Sequence, residues 1–290
     1  MADWINTILQ GVLTGGLYAL LAAGLSLSFG VMRVINIAHG DFAVLAAFVA
    51  IALSQWLGLN PAEALILTLP IMGVLGYVLQ RFILNNTLGA DVMRPILVTF
   101  GFSIIVQNAL LEGFSATPRS LYSGDFGTMS FPITGQIAVG ALPLTMMLAA
   151  VLILAGMQML FSHTKLGRAF RAASDDPDIV RLMGVNNRHV YGIAMALAMM
   201  MVGVAGVFLV LETNTSPTDG PVHLLYAFEA VIIGGLGSLW GTLAGGIILG
   251  VAQAVGAKFN PGWGTLAGHL CFLAVLAFRP NGLFPKTKDR

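Results

Sequence analysis

Residues 189–211 read His-Val-Tyr-Gly-Ile-Ala-Met-Ala-Leu-Ala-Met-Met-Met-Val-Gly-Val-Ala-Gly-Val-Phe-Leu-Val-Leu, with no Asp, Glu, Lys or Arg among them. A bilayer core about 30 Å thick takes roughly 20 apolar residues as a helix, so this stretch reads as a membrane span. Outward from it the pattern repeats, at about 5–31, 37–57, 62–84, 95–113, 139–161 and 263–279. A further apolar stretch, 224–256, is interrupted by Gly234-Gly235-Leu236-Gly237-Ser238. Composition agrees: 57% of the 290 residues are hydrophobic and 9% charged, against about 25% charged in soluble domains. Mean hydropathy is +0.86. So few charges cannot solvate a soluble globule, and 14 Lys and Arg against 13 Asp and Glu create no field for a nucleic acid. The single cysteine, Cys271, leaves no internal disulfide.

Orientation follows from the basic residues. With the N-terminus outside, 12 of the 14 fall on the cytoplasmic side: Arg33, Arg81, Arg94, Lys165, Arg168, Arg171, Arg181, Arg188, Arg279, Lys286, Lys288 and Arg290. Only Arg119 and Lys258 remain outside, a clean positive-inside split. The first span lacks the basic leader of a cleaved signal peptide, and its apolar run is too long for one. Keeping the tail inside requires 224–256 to begin and end on the same side. Either it re-enters or it crosses twice, with its break at the glycines. Non-helical backbone at membrane depth must be covered by protein or water, which puts this segment near a pathway; alternatively the glycines only ease packing. The expected fold is therefore an all-α polytopic membrane protein, one domain over 1–290. It has about eight transmembrane helices plus a Gly-broken or re-entrant segment, N-terminus outside and C-terminus cytoplasmic.

Small residues recur every fourth position at Gly11, Gly15, Ala19 and Ala23, and again at Gly246, Gly250 and Ala254. Such stripes let helix backbones approach closely in lipid. Met146, Met147, Met199, Met200 and Met201 read as gap-filling core. No G-x-x-x-x-G-K-[ST] or H-E-x-x-H sequence is present, the five histidines are dispersed, and Asn214-Thr215-Ser216 is a weak sequon match.

The segment 162–188 holds about a third of all charges. In its second half Asp176 suits an N-cap, Pro177 the first helical position and Gly184 a left-handed stop. Ile179, Val180, Leu182 and Met183 are too apolar for so short a helix in water, and need either a partner surface or the membrane helices themselves. Gly-Arg-Ala-Phe-Arg-Ala (167–172), Asp-Asp-Pro (175–177) and Arg-Leu-Met-Gly-Val (181–185) resemble the cytoplasmic coupling segment of bacterial ABC permeases, more narrowly those of high-affinity branched-chain amino-acid uptake. Ile35-Asn36-Ile37-Ala38-His39-Gly40-Asp41-Phe42, Gly234 to Ser238, and Phe278-Arg279-Pro280-Asn281-Gly282-Leu283-Phe284 fit the same family. The lack of a long N-terminal extension favours the shorter of its two paired permeases.

The resemblance implies a heteromeric importer in the bacterial inner membrane. A second permease subunit pairs with this chain, two cytoplasmic ATPases bind the ATP and Mg, and a periplasmic binding protein delivers the solute. This chain itself holds no cofactor or metal, is not an enzyme and binds no nucleic acid. Residues 174–185 would be the coupling helix, with Asp176, Pro177, Ile179, Val180, Arg181, Leu182, Met183 and Gly184 meeting an ATPase and Arg168, Arg171 and Arg181 on its rim. For the pathway, Asn36, His39 and Gly40 share one face if helical, while Asp41 is either a pathway group or a partner of Arg33. Glu229 either lines the pathway or caps a short helix, and Gly234, Gly235 and Gly237 complete the candidate pathway. The outer loops, about 114–138 and 212–223, receive the binding protein or merely connect. Branched-chain or other hydrophobic amino acids are the expected cargo; urea, short amides and small organic or aromatic acids stay open. An ion-coupled secondary transporter, a channel and an intramembrane enzyme are the competing classes.

Overall fold

The computed structural model describes residues 2–89, 93–134 and 137–284; Lys286, Lys288 and Arg290 of the basic tail lie outside them. The chain runs α1 (Ala2–Met32), α2 (His39–Leu57) and α3 (Pro61–Val78), the last extended by a wide turn, Leu79–Ile83, and a tight one, Leu84–Asn86. It continues through α4 (Met93–Phe114), α5 (Asp125–Thr128), strands β1 (Ser130–Thr134) and β2 (Ile137–Gly140), and α6 (Ala141–His163). Then come α7 (Lys165–Asp175), α8 (Pro177–Leu182), α9 (Asn187–Glu212), α10 (Gly220–Gly234), α11 (Leu239–Phe259) and α12 (Trp263–Phe278). Among the described residues seven helices are long and apolar enough to cross a membrane, and α10 and α12 are shorter apolar helices. The fold is an all-α polytopic membrane protein. One detail escapes the sequence pattern: the outer loop folds into α5 and an antiparallel β1–β2 hairpin.

Local chemistry sets several boundaries. Asn60 caps α3, its side chain accepting from the amides of Ala62 and Glu63, while the Glu63 carboxylate accepts from the Asn60 amide at 2.9 Å. Gly58 ends α2 with φ +69°. Arg33 ends α1 with φ +54°, a left-handed conformation that costs a side-chain-bearing residue energy. It turns the chain back along α1. Residues 34–38 therefore climb beside α1, and α2 begins next to Leu21, eleven residues and about 16 Å of helix before Met32. Non-helical backbone at depth is thus found at 34–38, not at the 234–238 glycines.

The two small-residue stripes meet each other. A Cβ on Gly15 would lie 2.6 Å from the Ile247 Cα, and one on Gly11 2.7 Å from the Val251 Cα. With Lys258 donating to the Asp3 carbonyl at the far end, α1 and α11 run antiparallel along their whole length. Ala19 to Ala23 are fully buried, so α1 is the axis of the bundle, with α9 the second buried helix. Gly76 and Gly73 on α3 receive Met199 and Met200, and Gly16 receives the Met146–Met147 backbone. The Met199 and Met200 side chains fill gaps, as their pattern indicates, whereas Met146 and Met147 meet Gly16 through their backbone.

Contacts gather the basic residues at one end. Gly282 packs on Gly235, Gly237 faces Gly30, Ser174 donates to the Gly30 carbonyl, and Arg81 and Asn85 reach Asn186 and Arg188. Arg119 and Lys258 lie at the opposite end, with Thr215 and Asp3. The stretch 224–256 resolves into two antiparallel helices joined at residues 235–238, Gly234 against Gly241 and Ala230 against Gly245. It begins and ends on the same side, as the charge split requires. At about 22 Å, α10 is shorter than a bilayer core, whereas α11 is about 32 Å long.

Gly15→Ala should lower the folding stability by about 1–3 kcal/mol, because backbone atoms on α11 cannot yield. Gly156→Ala on α6, with open space around its Cβ, should be neutral or stabilising by up to about 1 kcal/mol. Thermal unfolding in detergent, followed on both variants, checks the contrast.

Candidate functional site

The basic end carries the charged segment. Thr164 caps α7 by accepting from the Gly167 amide at 3.0 Å. Phe170 is fully buried, its ring 5.6 Å from that of Phe161. Ser174 ties the last turn to α1 through the Gly30 carbonyl at 2.7 Å. At Asp176 the backbone becomes extended, and its carboxylate accepts from the amides of Asp178 and Ile179, both at 3.0 Å. Pro177 opens α8, and Gly184, with φ +82°, closes the turn that follows it. The start and stop read from sequence are those observed.

The apolar residues of this helix divide. Leu182 is 88% exposed, Met183 77% and Ile179 56%, while Val180 is 5% exposed. Two positions from Leu182 on the helical wheel, Val180 points to the opposite side. Val180 is therefore a packing residue beneath the tip, while Ile179, Leu182 and Met183 present an apolar surface among the exposed Asp176, Pro177, Arg181 and Gly184. The helix is also shorter than 174–185, because residues 174 and 175 belong to α7.

The first candidate pathway group is buried where α2 begins. Asn36 lies outside the helix, so it does not share a helical face with His39 and Gly40. Its carboxamide oxygen accepts from the Ala38 amide at 3.1 Å and its carbonyl from the His39 amide, making a turn. His39 Nε2 meets the Leu21 carbonyl at 2.8 Å. Asp41 accepts from Gln107 Nε2 on α4 at 2.8 Å, and that amide also reaches Ser103 Oγ at 3.1 Å. Arg33 is not its partner. Asp41 also abuts Gly220 at the start of α10, where no side chain would fit. Thus Asn36, His39 and Asp41, all 1–2% exposed, gather at the facing starts of α2 and α10.

Glu229 stands farther along α10 in a second polar cluster. Its Oε1 lies 2.5 Å from Nδ1 of His269 on α12, and its Oε2 has no hydrogen-bond partner. The His269 ring stacks on Tyr226 at 6.4 Å, Tyr226 lies 5.3 Å from Tyr18, and the Tyr18 hydroxyl donates to Gln253 Oε1 at 2.5 Å. Gln107, Tyr18, Tyr226, Gln253 and His269 escaped the sequence reading. Their one signal was a polar group inside an apolar span, visible for Gln107, Gln253 and His269 but without a partner to give it meaning.

Gly234, Gly235 and Gly237 occupy the α10–α11 turn at the basic end, not the mid-depth of the bundle. Gly235 and Gly237 have φ of +104° and +76°, open to glycine alone in practice. The tail docks here: Leu283 donates to the Ile233 carbonyl at 3.0 Å and Phe284 to that of Gly234 at 2.9 Å. Two of the quoted motifs are therefore one contact. These glycines shape a joint, and they separate from the Asn36–Asp41 group.

Removing the His269 imidazole leaves the Glu229 carboxylate buried without a partner, a loss of about 1–3 kcal/mol. Stability measured on His269→Ala should fall by that amount. Adding Glu229→Leu to it should recover most of the loss, a non-additive double-mutant cycle.

The chain matches the family profile described as branched-chain amino acid transport system / permease component over residues 7–276. It is 27% identical to the high-affinity branched-chain amino acid transport system permease protein BraD of Pseudomonas aeruginosa, covering 97% of this chain and 95% of that one. It is 24% identical to the permease protein LivM of the like-named system in Escherichia coli K12, over 94% of this chain and 69% of that longer one. Among solved structures, PsaBC from Streptococcus pneumoniae in complex with Fab aligns with a TM-score of 0.50 and 14% identity, over 95% of each chain, a likeness of fold. The chain, a multi-pass inner-membrane protein, belongs to the permease-component family of branched-chain amino acid transport systems.

Proposed function

We propose that this chain is the membrane permease subunit of an ABC importer for branched-chain and other hydrophobic amino acids. The observation that carries the reading is the tip of α8: Ile179, Leu182 and Met183 stand exposed on a helix fixed at both ends by Asp176 and Gly184. Exposed apolar side chains on a rigid, capped tip beside charged residues suit a protein partner. In this reading the partner is an ATPase, which supplies the ATP and Mg site that this sequence lacks as a P-loop. Arg181 is a rim charge that orients the contact. The basic end is cytoplasmic by the positive-inside rule, which puts the N-terminus outside.

A second permease, of the kind for which LivM is named, completes the pathway, and a periplasmic binding protein presents the solute at the outer loops. Asn36, His39, Asp41 and Glu229 are the pathway groups, since buried polar side chains at membrane depth are costly and functional by default. Binding of ATP changes the ATPase surface that α8 contacts. Differential contact in two states is what shifts the permease between inward- and outward-facing forms. An ion-coupled transporter would have no use for such a tip.

Leu182→Asp and Met183→Asp should each reduce leucine uptake by reconstituted complex more than tenfold while leaving the chain in the membrane at its normal level. Cross-linking from Leu182→Cys should capture a nucleotide hydrolase; capture of lipid or of the chain alone would overturn the reading. Glu229→Gln and Asp41→Asn should lower uptake without loss of assembly, and unchanged transport would remove either group from the pathway.

A further inference from the structure

Where the charged segment meets the membrane helices, a cavity of about 250 Å³ opens between α1, α6, α7 and the α10–α11 turn. It is distinct from the exposed tip of α8 and from the two buried polar clusters. Its wall is divided chemically. Leu27, Phe161, Phe170 and Leu239 make an apolar side. Ser26, which is 1% exposed, and Gln158 also line it, and Ser26 Oγ and Gln158 Oε1 lack hydrogen-bond partners. Arg171 and Asp175 stand four residues apart on α7, on one face. Arg171 donates to the Phe161 carbonyl and keeps further N–H groups free, for a guanidinium has five. Asp175 forms no ion pair with it among the described residues.

These groups define an occupant. Gln158 Oε1 lacks a donor, the exposed Asp175 and Arg171 offer a carboxylate and spare N–H groups at the mouth, and Phe161 gives an apolar wall. A cavity of about 250 Å³ is on the scale of a free amino acid. We infer that this cavity binds a free hydrophobic amino acid as its zwitterion, from the cytoplasmic side, as a product-feedback site. The ammonium group meets Asp175 and Gln158, the carboxylate meets Arg171, and the side chain lies against Phe161, which Phe170 backs from beneath. The inference rests on the import reading above for the identity and direction of the cargo. A ligand here touches α7, α1 and the α10–α11 turn together. It therefore favours the arrangement in which they are packed, and opposes movement of α7 with the α8 tip.

The test uses the complete importer in proteoliposomes. L-leucine preloaded on the cytoplasmic side should slow ATP-driven uptake at least threefold, whereas leucinamide and 4-methylpentanoate, each lacking one charge, should not. Within each variant the preloaded-to-empty rate ratio should return toward one for Gln158→Leu and for Asp175→Asn. Labelled leucine should bind the detergent-solubilised complex, without ATP or binding protein, at least tenfold more weakly in Gln158→Leu. Should either variant fail to assemble, hydrogen exchange of the wild-type complex decides: leucine should protect residues 165–175. Uptake of leucine with no effect of preloading and no such protection overturns the feedback site alone, while absence of leucine uptake overturns the import reading.

Discussion

The fold depends on how closely two helix backbones can approach. At Gly11 and Gly15 the α1 backbone lies against that of α11, with no room for a methyl group. In lipid there is no hydrophobic force between helices, so dispersion contacts at such seams carry the association. On its other sides, Gly16 and Gly24 give α6 and α9 the same close approach. A helix surrounded in this way is cut off from lipid. Its interior neighbours can then include backbone and polar groups that the bilayer would reject.

That shielding explains the irregular start of α2. The carbonyl of Leu21 accepts a side-chain contact from His39, and residues 34–38 run unwound at a depth where exposed peptide groups would cost several kcal/mol each. The left-handed Arg33 that turns the chain back is a local cost accepted for this placement. Asp41 and Glu229 are similarly held, one by an amide from α4 and one by an imidazole from α12. Each carboxyl thus has a single hydrogen-bonding side chain brought to it from another helix.

Much of this was legible in the sequence and some was not, for definable reasons. The spans, the helix break after Gly234, the cap at Asp176 and the stop at Gly184 all depend on nearest neighbours, which a linear reading sees. The two glycine stripes are visible in their spacing, though nothing in the spacing says that they face each other. The misreadings are those that need the third dimension. The face that Asn36, His39 and Gly40 would share if helical does not form, because the helix starts three residues after Asn36 and a span boundary cannot be read closer than a few residues. Val180 looked like its neighbours in composition, but its inward direction is set by where α7 anchors α8. The partners of Asp41 and Glu229, Gln107 and His269, are 66 and 40 residues away, a distance no motif spans.

The anchoring of α7 bears on how a pull at the α8 tip could reach the interior. A flexible loop would absorb it. Here Gly167 rests on the end of α6 so closely that it has no space for a side chain, Phe170 is enclosed, and Ser174 is bonded to the last turns of α1. Gly30 in turn faces Gly237, and the α10–α11 turn is clasped by Leu283 and Phe284 of the tail. The charged segment therefore touches α1, α6 and α9 directly, the last through the Tyr191 hydroxyl on the Ala173 carbonyl, and reaches the α10–α11 turn by way of Gly30. The opposite ends of α10 and α2 meet at Gly220 and Gly40, beside Asp41. Packed elements of this kind shift as bodies between discrete arrangements, since close-packed interfaces do not deform continuously. A displacement that begins at Leu182 would thus be delivered along the rigid length of α10 to the buried groups at its start, with the unwound residues 34–38 as the part of the chain best able to yield.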